Sequence, residues 1–329
     1  MRIGKMDSDR LVADVLSKLQ PRREEVVLRP GVGEDCGALD LMGDLCVVST
    51  DPVTVPNSDV GRIAVHINCN DIAACGGEPV AMVITILAPE NTPEHAIADI
   101  MEQVSEAASE VNIEVIGGHT EITDAVNRIV VSGTAFGKCP RHGLVQSRDV
   151  RPGDGLIITK YAGIEGTIMM CSEFYDRAVS AVTFQRLGQV DQLKAMLSVV
   201  PDGMIAARAG ACAMHDITEG GVLGAVHEVC SAAGCGAALD ESQIPVLDLT
   251  LDLCREFAID PLRLISSGSM LIASPRPQEV MDALMAAGIP AAQIGRAEAA
   301  EAGFTIQCKD GVERTFGPPR PDEIYKLFK

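Results

Sequence analysis

The stretch from Ile63 to Pro79, I-A-V-H-I-N-C-N-D-I-A-A-C-G-G-E-P, contains the residue with the clearest chemical demand in the chain. Its apolar residues recur at helical spacing, which places Asp71 on the same predicted helix face as Ile63 and Ile67. No other residue before Glu78 in this stretch is firmly charged. A carboxylate on an apolar helix face is costly unless a cation meets it. We therefore expect Asp71 to bind a divalent metal ion.

Five further acids follow predicted elements or glycine-rich turns and offer the same kind of oxygen ligand: Glu34, Asp35, Asp51, Asp216 and Glu219. Magnesium prefers a few carboxylates together with water and phosphate oxygens, so an acid-rich site suits it. The residues by themselves leave alternatives open, because Asp35 and Asp51 also fit ordinary turns and Glu34 fits a solvated surface.

The common nucleotide and hydrolase motifs are absent, including the G-x-x-x-x-G-K-[ST] phosphate loop, G-x-G-x-x-G, H-E-x-x-H and G-x-S-x-G. Gly117 and Gly118 follow a short predicted strand, where backbone N–H groups can approach a phosphate or simply form a tight turn. His119 and His215 are interpreted as loop histidines that orient their neighbours, and Cys69 as a core residue. The residues alone favour a magnesium-dependent, phosphate-handling enzyme.

Predicted helices and strands position these residues. In the first half we predict helices at 8–19 and 93–111 besides the Asp71 helix, and strands at 45–49, 80–87, 113–116 and 129–136. In the second half we predict strands at 155–159, 270–273, 292–295 and 304–308, a largely helical region at 168–213, and a helix from about 222 that stops at Gly234. The charged turn at Arg148–Asp154 predicts a boundary between domains 1–150 and 151–329. Two similar α+β layers are expected, each a sheet with helices on one face.

Composition excludes several classes of protein. The 329 residues include 27 Lys or Arg and 46 Asp or Glu, a formal net charge of −19, and no basic run offsets it. A nucleic-acid partner or an anionic membrane surface is therefore not expected. Eleven cysteines without a C-x-x-C pair indicate reduced thiols and a cytoplasmic protein. No uncharged apolar run reaches the ~18 residues of a membrane span, and the N-terminus has no apolar signal region.

A set of motifs carries a family resemblance in the right order along nearly the whole chain: G-V-G-E-D-C-G-A-L, S-T-D-P, G-R-I-A-V-H-I-N-C-N-D-I-A-A-C-G-G-E-P, G-G-H-T-E, H-D-I-T-E-G-G-V and D-P-L-R-L-I-S-S-G-S-M-L-I-A. This set resembles the aminoimidazole ribonucleotide (AIR) synthetase superfamily. That superfamily includes thiamine-monophosphate kinase, selenophosphate synthetase and the hydrogenase-maturation carbamoyl dehydratase. The chain is most similar to its AIR-synthase-related, hydrogenase-maturation-factor-like branch.

The resemblance implies an α+β fold of two AIR-synthetase-like domains. The N-terminal mixed-sheet domain would form a homodimer with ATP near the interface, and the C-terminal α+β sandwich domain would close over it. By motif match, Asp35, Asp51 and Asp71 would hold Mg²⁺ on the ATP phosphates, and Asp216 and Glu219 would join them from the second domain. Asp71 and Asp216 are the candidate catalytic residues. The resemblance further places Gly117, Gly118, His119, Thr120 and, in the N-terminal segment, Lys5 beside the nucleotide.

Departures from each subfamily leave the reaction open. The carbamoyl dehydratase ends in a cysteine, whereas this sequence ends Tyr325-Lys326-Leu327-Phe328-Lys329. Residues 1–30 lack the cysteine or selenocysteine of selenophosphate synthetases, and Thr218–Gly221 replaces the S-D-G-L of thiamine-monophosphate kinases.

The leading hypothesis is a Mg- and ATP-dependent enzyme that activates a small substrate or a protein-borne group by phosphoryl transfer. The alternatives are an ATP-switched maturation or assembly factor that docks to a partner protein, a small-molecule kinase of the thiamine-monophosphate kinase type, and a non-catalytic nucleotide-sensing homodimer.

Overall fold

The structure, a computed structural model, describes residues 9, 12, 26–28, 31–40, 43–54, 58–182 and 184–328. Lys5 and nearly all of the predicted helix at 8–19 lie outside these residues. The described chain forms two mixed sheets with helices packed against them, which confirms the predicted α+β class. Within these ranges, every helix is too short or too polar to cross a lipid bilayer.

The first half forms a six-stranded sheet with spatial order β1-β2-β3-β6-β4-β5. Its strands are β1 (Val26–Leu28), β2 (Gly37–Asp40), β3 (Leu45–Val53), β4 (Glu78–Ala88), β5 (Glu114–Ile122) and β6 (Val130–Cys139). Only β4 and β5 pair in parallel; the other neighbours are antiparallel. Helices α1 (Val60–Ala74) and α2 (Glu94–Glu110) belong to this half.

Alternate residues of β6 are buried, as expected for a strand with one face against helices. Helix α1 approaches this face closely because β6 carries glycines there. A Cβ on Gly133 would lie 2.6 Å from Asn68 Nδ2. The missing side chain therefore lets Asn68, which the helix carries, reach the sheet.

The second half forms a seven-stranded sheet with spatial order β13-β12-β9-β11-β7-β10-β8. Its strands are β7 (Gly155–Thr159), β8 (Ala213–Asp216), β9 (Cys235–Asp240), β10 (Met270–Ser274), β11 (Ala291–Ala299), β12 (Phe304–Gln307) and β13 (Glu313–Thr315). Its helices are α3 (Ile164–Glu173), α4 (Tyr175–Ala181), α5 (Phe184–Leu187), α6 (Val190–Lys194), α7 (Val200–Ala209), α8 (Gly221–Ala232), α9 (Asp248–Phe257) and α10 (Pro277–Ala286).

Helix α1 is the element shared by both halves. One hydrophobic cluster runs from Ile72 in the first half to Met170 in the second. Buried Asn70 joins them as well: its Nδ2 donates to Leu197 O at 3.0 Å, and its Oδ1 accepts from Val199 N at 2.8 Å. The two sheets are separated along the chain by residues 140–154, and the predicted domain ranges stay a prediction.

Several predicted boundaries were wrong because strand pairing overrides local turn signals. Asp51 lies inside β3, paired with Gly133, and not past the end of a strand. Gly117–Thr120 extends β5 and does not form a loop, since these residues pair in register with β4. His215 also lies in a strand, β8, and not in a loop. Strand β9 and helix α9 were not predicted.

Candidate functional site

Asp71 lies on α1 as predicted and is 5% exposed. Ser49 of β3 donates its Oγ hydrogen to Asp71 Oδ2 at 2.5 Å. Burial, followed by the negative charges of Asp216, Asp51 and Asp35, raises the pKa of Asp71 well above its ordinary value. The structure therefore brings together four of the predicted acids. We call Asp35, Asp51, Asp71 and Asp216 the acid cluster.

His215 is the cation inside this cluster. Its Nδ1 lies 3.0 Å from Asp35 Oδ1 and 3.7 Å from Asp216 Oδ1, and its Nε2 lies 3.3 Å from Glu228 Oε2. Burial lowers the pKa of His215, but the three carboxylates together outweigh burial and raise it well above the ordinary value. An imidazolium at this position joins an acid of the first half to two acids of the second.

Asp51 is held through its backbone. Its N–H donates to Asn68 Oδ1 at 2.8 Å, and its carbonyl accepts from Asn68 Nδ2 at 3.2 Å. Asn68 is fully buried on α1, so the helix that carries Asp71 also fixes the strand that carries Asp51.

The acid cluster fits a hard divalent cation. Asp35, His215 and Asp216 each offer a ligand atom, and these atoms lie within 4.8 Å of one another. Asp216 is 1% exposed, and its Oδ2 has no hydrogen-bond partner among the described residues. A buried carboxylate oxygen left in this state favours a bound cation. Carboxylate oxygens are the ligands that Mg²⁺ prefers, and His215 suits the role of a counter-ion better than that of a magnesium ligand.

The other two predicted acids are Glu34 and Glu219. Burial, and then the charge of Asp35, raises the pKa of Glu34 to about 7. Glu219 accepts a hydrogen bond from the Tyr325 hydroxyl. It neighbours Glu165, a buried acid whose pKa is raised to about 7, mainly by burial.

Gly117–Thr120 stands at the far edge of the first sheet. Asp51 pairs with Gly133, Gly133 with Ile84, and Ile84 with Gly118. Three strand spacings separate Asp51 from Gly118, roughly 14 Å. Within one chain the structure therefore leaves this segment, including exposed His119 and Thr120, away from the acid cluster.

Sequence reasoning missed the supporting residues. His215 was expected only to orient neighbours, yet it is the charge partner of three acids. Asn68 and Ser49 received no role. The signal for Asn68 was available, since a polar residue within an apolar helix must find a hydrogen-bond partner.

Two mixed sheets that meet at a buried acid cluster define a two-domain α+β protein with a candidate cation centre. The family profile described as AIR synthase related protein, N-terminal domain, matches residues 33–139, and the corresponding C-terminal domain matches residues 151–307. The chain therefore belongs to the AIR synthase related family, as its motifs predicted.

Curated relatives include carbamoyl dehydratases. HypE of Escherichia coli is 26% identical over 313 residues, which cover 89% of this chain and 89% of that protein. HypE of Rhizobium leguminosarum is 29% identical over 285 residues, which cover 83% of this chain and 77% of that protein.

Solved structures share the fold. HypE in a HypE–HypF complex superposes with a TM-score of 0.76 at 21% identity, covering 94% of this chain and 99% of that one. HypE in complex with ATP superposes with a TM-score of 0.74 at 21% identity, covering 98% of this chain and 97% of that one. AaThiL complexed with AMPPCP and TMP superposes with a TM-score of 0.73 at 19% identity, covering 96% of this chain and 98% of that one. The predicted AIR-synthetase-like fold is confirmed.

Proposed function

We propose that this protein is a HypE-like, ATP-dependent maturation enzyme that activates a small substrate or a protein-borne group by phosphoryl transfer. The observation that supports this most is the acid cluster itself, because Asp35, Asp51 and Asp71 from the first half meet Asp216 from the second. The ATP complex of HypE and the AMPPCP complex of AaThiL support nucleotide binding on this fold.

In this proposal Asp35, Asp51, Asp71 and Asp216 hold Mg²⁺, which would neutralise phosphate charge during the transfer. The chain's own residues organise the site beforehand. Ser49 fixes one oxygen of Asp71, and Asn68 fixes the backbone at Asp51. Asp71 and Asp216 remain the proposed catalytic pair, since both are buried acids whose charge acts strongly on the reacting centre.

We also propose a homodimer formed through the first sheet. β5 is an edge strand, and its exposed apolar side chains Ile116 and Ile122 are 60% and 52% exposed. An exposed apolar edge strand is a common pairing surface. A dimer formed there would place Gly117–Thr120 at the interface, where the predicted nucleotide-binding role of this segment can be tested.

We also propose that this protein binds a partner protein during maturation, as HypE does in the HypE–HypF complex. A maturation role predicts that ATP turnover rises when the partner is added, whereas a small-molecule kinase would turn over ATP with its metabolite alone.

All eleven cysteines are free, which supports the proposed cytoplasmic location.

The test is MgATP binding and turnover in the full chain. MgATP at about a hundred times its Kd should raise the free energy of unfolding by roughly 2.7 kcal/mol. Asp71→Asn should keep the fold and lose this stabilisation, whereas Asp282→Asn, at an exposed position on α10, should retain it. If saturating MgATP left the melting curve of the unaltered protein unmoved, the proposed function would be rejected.

Whether the reaction is phosphoryl transfer is a separate question. Product analysis should show ADP and a phosphorylated acceptor, both depending on Asp216. Release of AMP and pyrophosphate would contradict the proposed phosphoryl transfer while leaving the nucleotide site intact.

A further inference from the structure

A cleft of about 990 Å³ lies between the two halves, beside α1. Arg62 and His66 of α1 line it, and they are four residues apart and so on one side of the helix. Asp71 lies five residues beyond His66, which is roughly 140° around an α-helix. The cleft is therefore separate from the acid cluster, and its volume is within the usual range for a small-molecule site.

His66 is the unexplained group in this cleft. It is 3% exposed, and neither ring nitrogen has a hydrogen-bond partner among the described residues. Its Nε2 lies 3.5 Å from Glu110 Oε2 without forming a hydrogen bond. Burial lowers the pKa of His66 to about 4, so the ring is neutral near pH 7 and offers a lone pair. A buried polar group left in this state costs roughly 1–3 kcal/mol, which a bound ligand can recover.

The cations that line the cleft are already engaged. Lys160 Nζ donates to Ser198 O at 2.7 Å and to Met196 O at 3.2 Å, and it lies 3.2 Å from Asp202 Oδ1. Arg62 binds Glu110 through two hydrogen bonds, at 2.7 and 2.6 Å. An anionic ligand would therefore have to displace an existing ion pair.

Acceptors, in contrast, are in excess. Five carboxylates line the cleft against three Lys or Arg side chains. Asp202 is 1% exposed, and the Lys160 ammonium lies on only one of its two carboxylate oxygens, Oδ1, among the described residues. The charge balance and the acceptor on His66 that receives no hydrogen bond both favour a ligand that carries positive charge and N–H donors.

The remaining wall is aliphatic, formed partly by Val200, Ile205 and Ile289. We propose that this cleft binds a small organic cation, an aliphatic amine or guanidine. Its N–H groups donate to His66, Glu110 and Asp202, and its hydrocarbon stem packs on the aliphatic wall. This site is additional to the proposed nucleotide site and does not depend on it.

The probe is agmatine, which carries an ammonium and a guanidinium group on a four-carbon stem. Isothermal titration calorimetry of the full chain should show saturable agmatine binding and no binding of adipate, an aliphatic dianion of similar length. Glu110→Gln should weaken agmatine binding at least about tenfold, because hydrogen bonds to charged groups contribute roughly 1.5–3 kcal/mol. The substitution also removes one of the two carboxylates that neutralise Arg62, Glu106 being the other, so the guanidinium repels the cation more strongly. His66→Phe should weaken binding to a similar extent.

Two variants serve as matched controls. Glu102→Gln removes an exposed carboxylate from the same helix as Glu110 without touching the cleft, and Asp71→Asn alters the acid cluster; both should bind agmatine with unchanged affinity. Absence of agmatine binding up to millimolar concentration, or equal binding of adipate, would overturn the proposal. The proposal would also be overturned if Glu102→Gln weakened agmatine binding as much as Glu110→Gln does, or if Asp71→Asn abolished agmatine binding. Either result would show that agmatine binds elsewhere. If His66→Phe does not fold, Glu110→Gln decides the outcome, because Glu110 is 49% exposed and its replacement leaves the core unchanged.

Discussion

Replacing His215 by alanine tests the electrostatic organisation of the acid cluster. His215 is 4% exposed and contacts Asp35, Asp216 and Glu228 through its two ring nitrogens. His215→Ala removes the cation and leaves these three carboxylates facing one another in a buried site. We expect the free protein, without nucleotide or metal, to be strongly destabilised.

The magnitude follows from the contacts. Removing one partner of a buried ion pair costs about 3–5 kcal/mol, because the remaining charge keeps its desolvation penalty. At about 2–4 °C per kcal/mol for a domain of this size, Tm should fall by roughly 10 °C. The loss has an upper limit, because a carboxyl group can take up a proton when its counter-ion is removed.

The pH dependence has a defined sign. The pKa of His215 is raised in the folded state, so its contribution to stability is fully present below the unfolded pKa of about 6.5. That contribution is lost as the pH rises through the higher folded pKa. The difference in unfolding free energy between the unaltered protein and His215→Ala should therefore be largest at the acidic end of this interval.

Urea unfolding followed by circular dichroism measures the loss, with His119→Ala as the control. His119 is an exposed histidine beside one acid, so its replacement should change stability by less than about 0.5 kcal/mol. Saturating MgCl₂ should stabilise His215→Ala more than the unaltered protein, because a metal ion can replace the missing imidazolium charge. If His215→Ala lowered the free energy of unfolding by no more than His119→Ala does, the assigned ion pairing would be incorrect.

Two further predictions concern stability. Because burial lowers the pKa of His66 to about 4, the unfolded chain takes up a proton first as the pH falls. The free energy of unfolding should therefore fall by up to about 3 kcal/mol between pH 6.5 and 4, and His66→Phe should lack this part of the slope in a urea series. Gly118→Ala should destabilise the protein by about 2 kcal/mol or more in urea unfolding, since φ is 155° and a Cβ would lie 1.9 Å from Ile84 O. Gly117→Ala is its control, because its nearest contact would be 3.9 Å away; equal losses in both variants would contradict the steric explanation.

Local patterns predicted the elements with one-sided burial. The helical spacing around Asp71 correctly identified α1, and the predicted helix at 93–111 agrees with α2 (Glu94–Glu110). Both have periodic apolar residues over several turns, and such a pattern fits no other regular structure. The end of β5 was predicted less well. Gly117 and Gly118 were interpreted as a possible turn, but they continue the strand and pair with β4.

Residue types and their spacing were enough to predict which side chains could hold a cation. Asp71 is the one firmly charged residue between Arg62 and Glu78, and the ordered motifs identified the acids that accompany it and the family. The convergence of Asp35, Asp51 and Asp216 on Asp71, with His215 as their cation, becomes visible only in the folded chain. So does the position of Gly117–Thr120 at the far sheet edge. These relations depend on strand order and on packing between residues far apart in the chain. Local spacing carries no information about either.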